Sequence, residues 1–257
     1  MTGQAQQILL IGGDNPTTWI VYNRLVREFG LISAVIEKPI SRQILIKNRF
    51  RKLGLWTVID QLAFIGLVRP FLKYQAKRRI KVLCKRHDLE SARPLTSAIV
   101  EVENINDVDG LAAIAKYQPN VVIVNGTRIL KKATLRATPA VFINTHQGIT
   151  PQYRGAHGGY WALHENDRGN CGVTIHVVDE GIDTGNVIAQ AAIKPEPQDS
   201  FITYPFLQTA AALPHLQIAI HSALAGNLTS TPVSGASAVW YHPGILQYIK
   251  ARMRGIR

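Results

Sequence analysis

Asn144, His146 and Asp183 have the residue types and spacing to do proton and acyl chemistry together. Asn144 closes a short apolar run, Val141-Phe-Ile-Asn144, and His146 follows two residues later. In extended backbone, residues i and i+2 share a face. An imidazole is the side chain best suited to moving protons near neutral pH. A primary amide can donate to an oxygen that gains negative charge. Asp183 lies in a glycine-flanked acidic turn, Asp179-Glu180-Gly181-Ile182-Asp183-Thr184-Gly185. A carboxylate there can orient an imidazole and raise its pKa. The set suits acyl transfer to an amine without a covalent intermediate. No Gly-x-Ser-x-Gly elbow or placed cysteine points to the covalent route. Singly, each residue has a structural reading: Asn144 as a strand-end cap, His146 as a buried histidine, Asp183 as a turn former. Their joint order and spacing favour a site. His146, His176 and Asp183 also have metal-ligand atom types but lack closely spaced ligand pairs, so no metal is expected.

In an open α/β sheet, working residues collect at the carboxyl ends of strands, and the chain supplies such a sheet. Gln7 to Gly13 is apolar and ends in glycine, Thr17 to Phe29 has helical spacing, and Leu31 to Ile36 is apolar again. This predicts a β-α-β opening. The Gly12-Gly13-Asp14-Asn15 turn could present N–H groups to a phosphate. It is neither G-x-G-x-x-G nor a P-loop, and a tight strand-to-helix turn is an equal reading. Strands are expected at Ser97 to Val102, Asn120 to Asn125 and Ala140 to Asn144, with a helix over Ile105 to Lys116. The loop Gly148 to Gly155 leads to a helix starting at His157. Cys171 to Val178 and Asn186 to Ile193 are expected to pair around the acidic turn. Ser200 to Leu224 and Gly244 to Met253 are expected as helices. The expected fold class is α/β: a Rossmann-like, mostly parallel open sheet flanked by helices, with a helical basic insert and a helical C-terminal extension. The domain boundary is drawn near Gln198, separating a body, 1–198, from an extension, 199–257.

The net charge of +12 is concentrated. Residues 38–86 hold fourteen Lys or Arg against one acid, Asp60, a net of +13, so the remainder is near neutral. The centre of this insert, Leu53 to Leu72, is apolar, with basic flanks KNRFRK and KYQAKRRIK. Pro70 is expected to break it into a pair of amphipathic helices, lying on their own domain or on a membrane surface. Packing on its own domain is the plainer of the two. Nucleic acid is disfavoured, because the segment is too rich in Leu, Ile, Val and Phe for a solvated basic face. Cys84 and Cys171 are expected as free thiols. The opening residues MTGQAQQ show no secretory pattern, so a cytoplasmic location is expected, peripheral to the inner face of a membrane if the insert docks there.

Asn144-x-His146, then Pro151-x-Tyr153-Arg154-Gly155, then Gly172-Val-Thr-Ile-His176-Val-Val-Asp-Glu-Gly-Ile-Asp183-Thr-Gly185 resembles the folate-dependent formyltransferase family. That family includes glycinamide ribonucleotide, methionyl-tRNA and sugar N-formyltransferases. The resemblance runs roughly from Ala98 to Gln190. It implies Asn144, His146 and Asp183 as catalytic residues and 10-formyltetrahydrofolate as the donor co-substrate. It implies that the pteridine lies against Arg128, Ile129 and Leu130 and against Asp179, Glu180 and Gly181. It places Tyr153 and Arg154 on a loop able to close over substrate. His157 and His176 stand on the acceptor side, with packing or satisfied-strand readings beside that one, and Gly12 and Gly13 complete the substrate set.

The departures bear on the acceptor. Asp14 would repel a phosphate, and Pro16 lacks an N–H. That disfavours glycinamide ribonucleotide. Residues 199–257 look helical and short for the C-terminal barrel of the tRNA enzyme, which disfavours initiator tRNA. The remaining acceptor is an amine of a sugar or of another small metabolite, an amino sugar that is nucleotide- or lipid-linked being the favoured expectation. A formyltetrahydrofolate hydrolase and a non-catalytic folate-binding protein are the rival readings, and a homodimer is compatible with either.

Overall fold

The computed structural model describes residues 7–41 and 54–257. The basic flank KNRFRK of the insert lies outside the described residues. The strands are β1 (Ile8–Gly13), β2 (Ser33–Glu37), β3 (Ile99–Val102), β4 (Val121–Asn125), β5 (Val141–His146), β6 (Arg154–Gly155), β7 (Gly172–Val177), β8 (Val187–Ala192) and β9 (Val239–Trp240). Seven of them form one sheet in the order β3-β2-β1-β4-β5-β7-β8. Neighbours from β3 to β5 run parallel; β5–β7 and β7–β8 run antiparallel. The order reverses between β1 and β4, which places a crevice at their carboxyl ends. The mostly parallel sheet matches the expected fold class.

Alternation along the strands builds a layer on each face. Ile8, Leu10, Val121, Ile123 and Ile143 face α1 (Pro16–Phe29). Leu9, Ile11, Val122, Val124 and Phe142 face α4 (Val108–Tyr117). Helix α7 (Tyr204–Leu224) sets Leu213, Leu216 and Ile220 into the same cluster as Ile123 and Ile143. The boundary drawn near Gln198 therefore marks no break in packing. The stretch 199–257 is largely helical, but it is built into the body rather than appended to it.

The insert also differs from expectation. Helix α2 (Leu55–Ala63), a π-helical turn (Phe64–Val68) and α3 (Arg69–Arg86) follow one another without a break. Pro70 stands in the first turn of α3. There the Arg69 N–H reaches back five residues to the Phe64 carbonyl. The wider turn absorbs the proline, which has no N–H to place. Val58, Phe64, Leu72, Ala76 and Leu83 turn inward. Phe64 meets Phe201 edge-on at 5.4 Å and Tyr248 of α8 (Ile245–Met253) at 5.2 Å.

Arg79 fastens α3 to the body. Its Nε and a terminal nitrogen donate to the two oxygens of the fully buried Asp199 at 2.8 and 2.9 Å. Asp199 also accepts from the Glu196 N–H at 2.8 Å. Asp199→Ala is expected to lower stability by about 3 kcal/mol, the low end for breaking a buried pair, because Arg79 keeps Glu196 at 3.1 Å. The urea-unfolding midpoint measures it.

Candidate functional site

Strand β5 delivers Asn144 and His146 to one side, as their spacing requires. Between them, Thr145 turns the other way and accepts from Asn125 Nδ2 at 2.7 Å. The antiparallel register sets Asn144 directly opposite His176 of β7. Such cross-strand pairs put their side chains in contact, and Asn144 Nδ2 lies 3.1 Å from His176 Nε2. His176 Nδ1 lies 2.9 Å from the Val177 carbonyl, an acceptor. An Nδ1–H directed at that carbonyl leaves Nε2 to face the Asn144 amide. The second N–H of Asn144 points at Asp183 Oδ1, 3.4 Å away, a weak contact.

His146 meets an oxygen at each ring nitrogen. Nε2 is 2.7 Å from the Tyr153 carbonyl, and Nδ1 is 3.2 Å from Asp183 Oδ2. A neutral ring has one proton, and the shorter contact assigns it to Nε2. Nδ1 is then a base facing a carboxylate. Burial holds the imidazole pKa below its ordinary value, opposed by the Asp183 charge and the Tyr153 carbonyl. Burial alone would raise the carboxyl pKa of Asp183, but His146, His176 and the Gly155 N–H hold it below the usual range. The Asp183 side chain is 15% exposed and that of His146 6%, so Asp183 is the more open end of the pair.

The acidic turn is braced from within. Asp179 accepts from the Gly181 N–H at 3.0 Å and the Thr184 hydroxyl at 2.7 Å. Asp183 is left-handed, φ 51°, a conformation a non-glycine residue adopts at a cost. The Gly155 N–H donates to Asp183 Oδ2 at 2.9 Å, and Arg154 donates to the Ile182 carbonyl at 3.1 Å. A Cβ on Gly185 would stand 1.7 Å from the Val177 carbonyl, the group that holds His176. Gly185→Ala is expected to displace β7 there, with a loss of about 1–3 kcal/mol in stability and a larger relative loss of activity. Thermal melting and initial rates together check this.

The sequence-predicted residues divide. Asn144, His146, Asp183 and His176 come together. His176 sits behind Asn144 and is buried, so it positions the amide rather than forming the acceptor wall. Tyr153 is not a residue of a closing loop. Its ring is buried, stacks on Trp240 at 5.8 Å and donates its hydroxyl to Asp167 at 2.9 Å. Only its carbonyl serves the site, through His146. Arg154 and Gly155 form β6, which is paired with β9. Arg154 and Thr184 line a cleft of about 250 Å³ together with Pro151 and residues of the 233–237 segment. His157, left-handed at the start of α6 (Gly158–His164), lies 3.0 Å from His242 and packs on Phe201 at 4.3 Å. It belongs to the helical side of the molecule.

Gly12 and Gly13 lie at the end of β1, and Gly12 is opposite Asn125 of β4. A Cβ on Gly12 would come 2.6 Å from the Thr18 methyl, so this glycine serves close packing of α1. Asn15 caps α1, accepting from the N–H groups of Thr17 and Thr18 at 3.1 Å each, so those donors are already engaged. Gly13 lines a second cleft, about 330 Å³, with Asp14, Glu37, Lys38 and Arg128, at the switch point. The Arg128 N–H and guanidinium are both bound to Glu37. The Ile129 carbonyl accepts from Asn106 at 3.0 Å. No hydrogen bond engages the N–H groups of Ile129 and Leu130 among the described residues. Glu180 is exposed and paired with Lys132 at 3.0 Å. Asn125 and Glu37 were not singled out by sequence. Each is a polar residue ending an apolar strand, the same signal that marks Asn144. Burial pushes the Cys171 thiol up to about 12, which leaves no thiolate nucleophile there.

A family model described as formyl transferase matches residues 77–205, half of the chain. The chain is 34% identical over 103 residues to a methionyl-tRNA formyltransferase of Desulfotalea psychrophila, covering 40% of this chain and 32% of that protein. The chain thus spans about a third of the length of the curated relatives it matches. A sugar N-formyltransferase structure from Shewanella superposes with a TM-score of 0.59 at 12% identity, covering 97% of this chain and 88% of the other. An N-formyltransferase from Helicobacter canadensis, in complex with folinic acid and dTDP-3-aminofucose, gives 0.53 at 15%, covering 90% and 70%.

Proposed function

The chain belongs to the formyl transferase family, and on that premise we propose that it transfers a formyl group from 10-formyltetrahydrofolate to the amine of a small acceptor, an amino sugar that is nucleotide- or lipid-linked. The observation that carries this reading is the mutual contact of Asn144, His146 and Asp183 at the sheet rim, within 3.4 Å of one another along the set. The donor, when bound, supplies an activated formyl carbon. The reaction breaks its bond to the folate nitrogen and forms one to the acceptor amine. A proton leaves the amine and one reaches the folate nitrogen.

The chain's own groups meet those needs. Asn144 keeps one N–H on His176 and can lend the other, held only by the long 3.4 Å contact, to the carbonyl oxygen as it gains charge. The amine proton enters at Asp183, the more open partner, and comes to rest on His146 Nδ1. Its uptake turns a lone pair facing a carboxylate into an ion pair, which is why this buried ring can act as a base. The Ile129 and Leu130 N–H groups and the 179–183 turn fit the edge of a pterin. Folinic acid and an amino-sugar nucleotide in the Helicobacter canadensis neighbour support both the donor and the acceptor class.

Product analysis tests the reading. The protein is incubated with 10-formyltetrahydrofolate and a panel of amino-sugar nucleotides. A formylated amine, lost in His146→Ala, is expected. Free formate as the sole product would make the protein a hydrolase, and no turnover with intact folate binding would leave a binding protein.

A further inference from the structure

We propose that the outer sides of α2, α3 and α8 together form a docking surface for an anionic lipid membrane, with these helices lying in the plane of the bilayer. The two parts are held side by side. Asp60 of α2 accepts from the Ile245 N–H at 3.0 Å, and Gln61 donates to the His242 carbonyl at 2.7 Å. Phe64 and Leu72 on one side, Tyr248 and Ala251 on the other, enter one buried cluster. Their opposite faces therefore turn outward together.

Those outward faces are apolar and basic. The insert exposes Trp56 (79%), Ile59, Leu67 (73%), Phe71 and Tyr74. Helix α8 exposes Leu246, Ile249 and Met253 (77%), at i, i+3 and i+7, one stripe of a helix. A patch of this kind is seldom left to water. Lys73, Lys77, Lys81 and Lys85 run up α3 at four-residue spacing and are exposed. Lys250 and Arg252 are exposed on α8. Asp60 is the only acid in either helical segment, and α8 has occupied it. Aromatic and aliphatic side chains beside a row of cations match the interface of an anionic bilayer. A second copy of the chain fits less well, because self-pairing would set lysine rows against each other. Leu55–Arg86 is long and apolar enough to cross a membrane by length and composition. Its inner side, however, packs on the body, and Arg79 is bound there to Asp199. The segment therefore lies on the bilayer rather than through it.

Flotation of the whole protein with phosphatidylcholine vesicles, with and without phosphatidylglycerol, tests the surface. The wild type is expected to float with the anionic vesicles only. L67E/F71E on the insert and I249E/M253E on α8 are each expected to partition roughly tenfold less, with melting temperatures near wild type and formylation of a soluble acceptor unchanged. K73Q/K77Q/K81Q is expected to lose the preference for anionic vesicles. Wild-type flotation by the α8 variant would remove α8 from the surface and overturn the proposal. So would no flotation of the wild type together with a dimer, seen by sedimentation, that either glutamate variant splits.

Discussion

His146→Ala is expected to lower kcat for formyl transfer by about 10²–10⁴-fold, the range for loss of a positioned acid–base group. KM is expected to stay within a few-fold, because the ring is buried and offers little surface to a ligand. The substitution removes the nearer of the two imidazoles that face Asp183, 3.2 Å against 3.6 Å, and also the donor to the Tyr153 carbonyl at 2.7 Å. The buried Asp183 loses the nearby imidazole that helps hold its pKa down, so its carboxyl pKa rises. The variant should therefore carry a less ionised Asp183 as well as lacking the imidazole. His176→Ala is the contrast. It leaves His146 and Asp183 in contact, frees the Asn144 amide and removes the longer 3.6 Å contact to Asp183, so its loss should be smaller. Equal losses would mean that the proton passes through His176 instead. A kcat for His146→Ala within about threefold of wild type would sink the acid–base role altogether.

The meeting of Asn144, His146 and Asp183 was legible because the signal for each is local. Asn144 and His146 need only the two-residue period of a strand, and Asp183 only a turn bounded by glycines. What stayed hidden depends on pairings across the chain. The partnership of Asn144 with His176 exists because β5 and β7 are antiparallel in one register, and no local pattern fixes that register. Tyr153 lies in the motif that suggested a closing loop, but an aromatic ring beside Trp240 is better buried than waiting over a cleft. Proline usually breaks a helix, which is the expectation at Pro70, but a π-turn just upstream absorbs it. The place of α7 in the core had a visible signal. Its sequence is apolar around most of its circumference, which marks a buried helix rather than an appended one. The pairing of Glu37 with Arg128 joins residues 91 apart and had no such signal.

Asp183→Asn should keep the fold of the site and remove its charge. The amide oxygen can retain the Gly155 N–H, 2.9 Å away in the wild type, and turn its NH₂ toward the His176 side. The reverse orientation would set NH₂ against the Gly155 donor. A fall in kcat of about 10²–10⁴-fold is expected, since proton uptake by His146 no longer forms an ion pair. The pH dependence carries the sharper test. Burial holds the His146 pKa below the ordinary value of about 6.5, and Asp183 is the first of the groups opposing that depression. The acid limb of kcat/KM in the wild type should then lie below about pH 6.5, and in the variant lower still. The same sign holds for stability. A histidine with a depressed native pKa binds fewer protons folded than unfolded. Its penalty therefore begins as pH falls through about 6.5 and ends only at the native pKa. In Asp183→Asn that window extends to more acid pH. An acid limb that stays in place or moves up would show that the carboxylate does not act through the imidazole, whatever the fall in kcat.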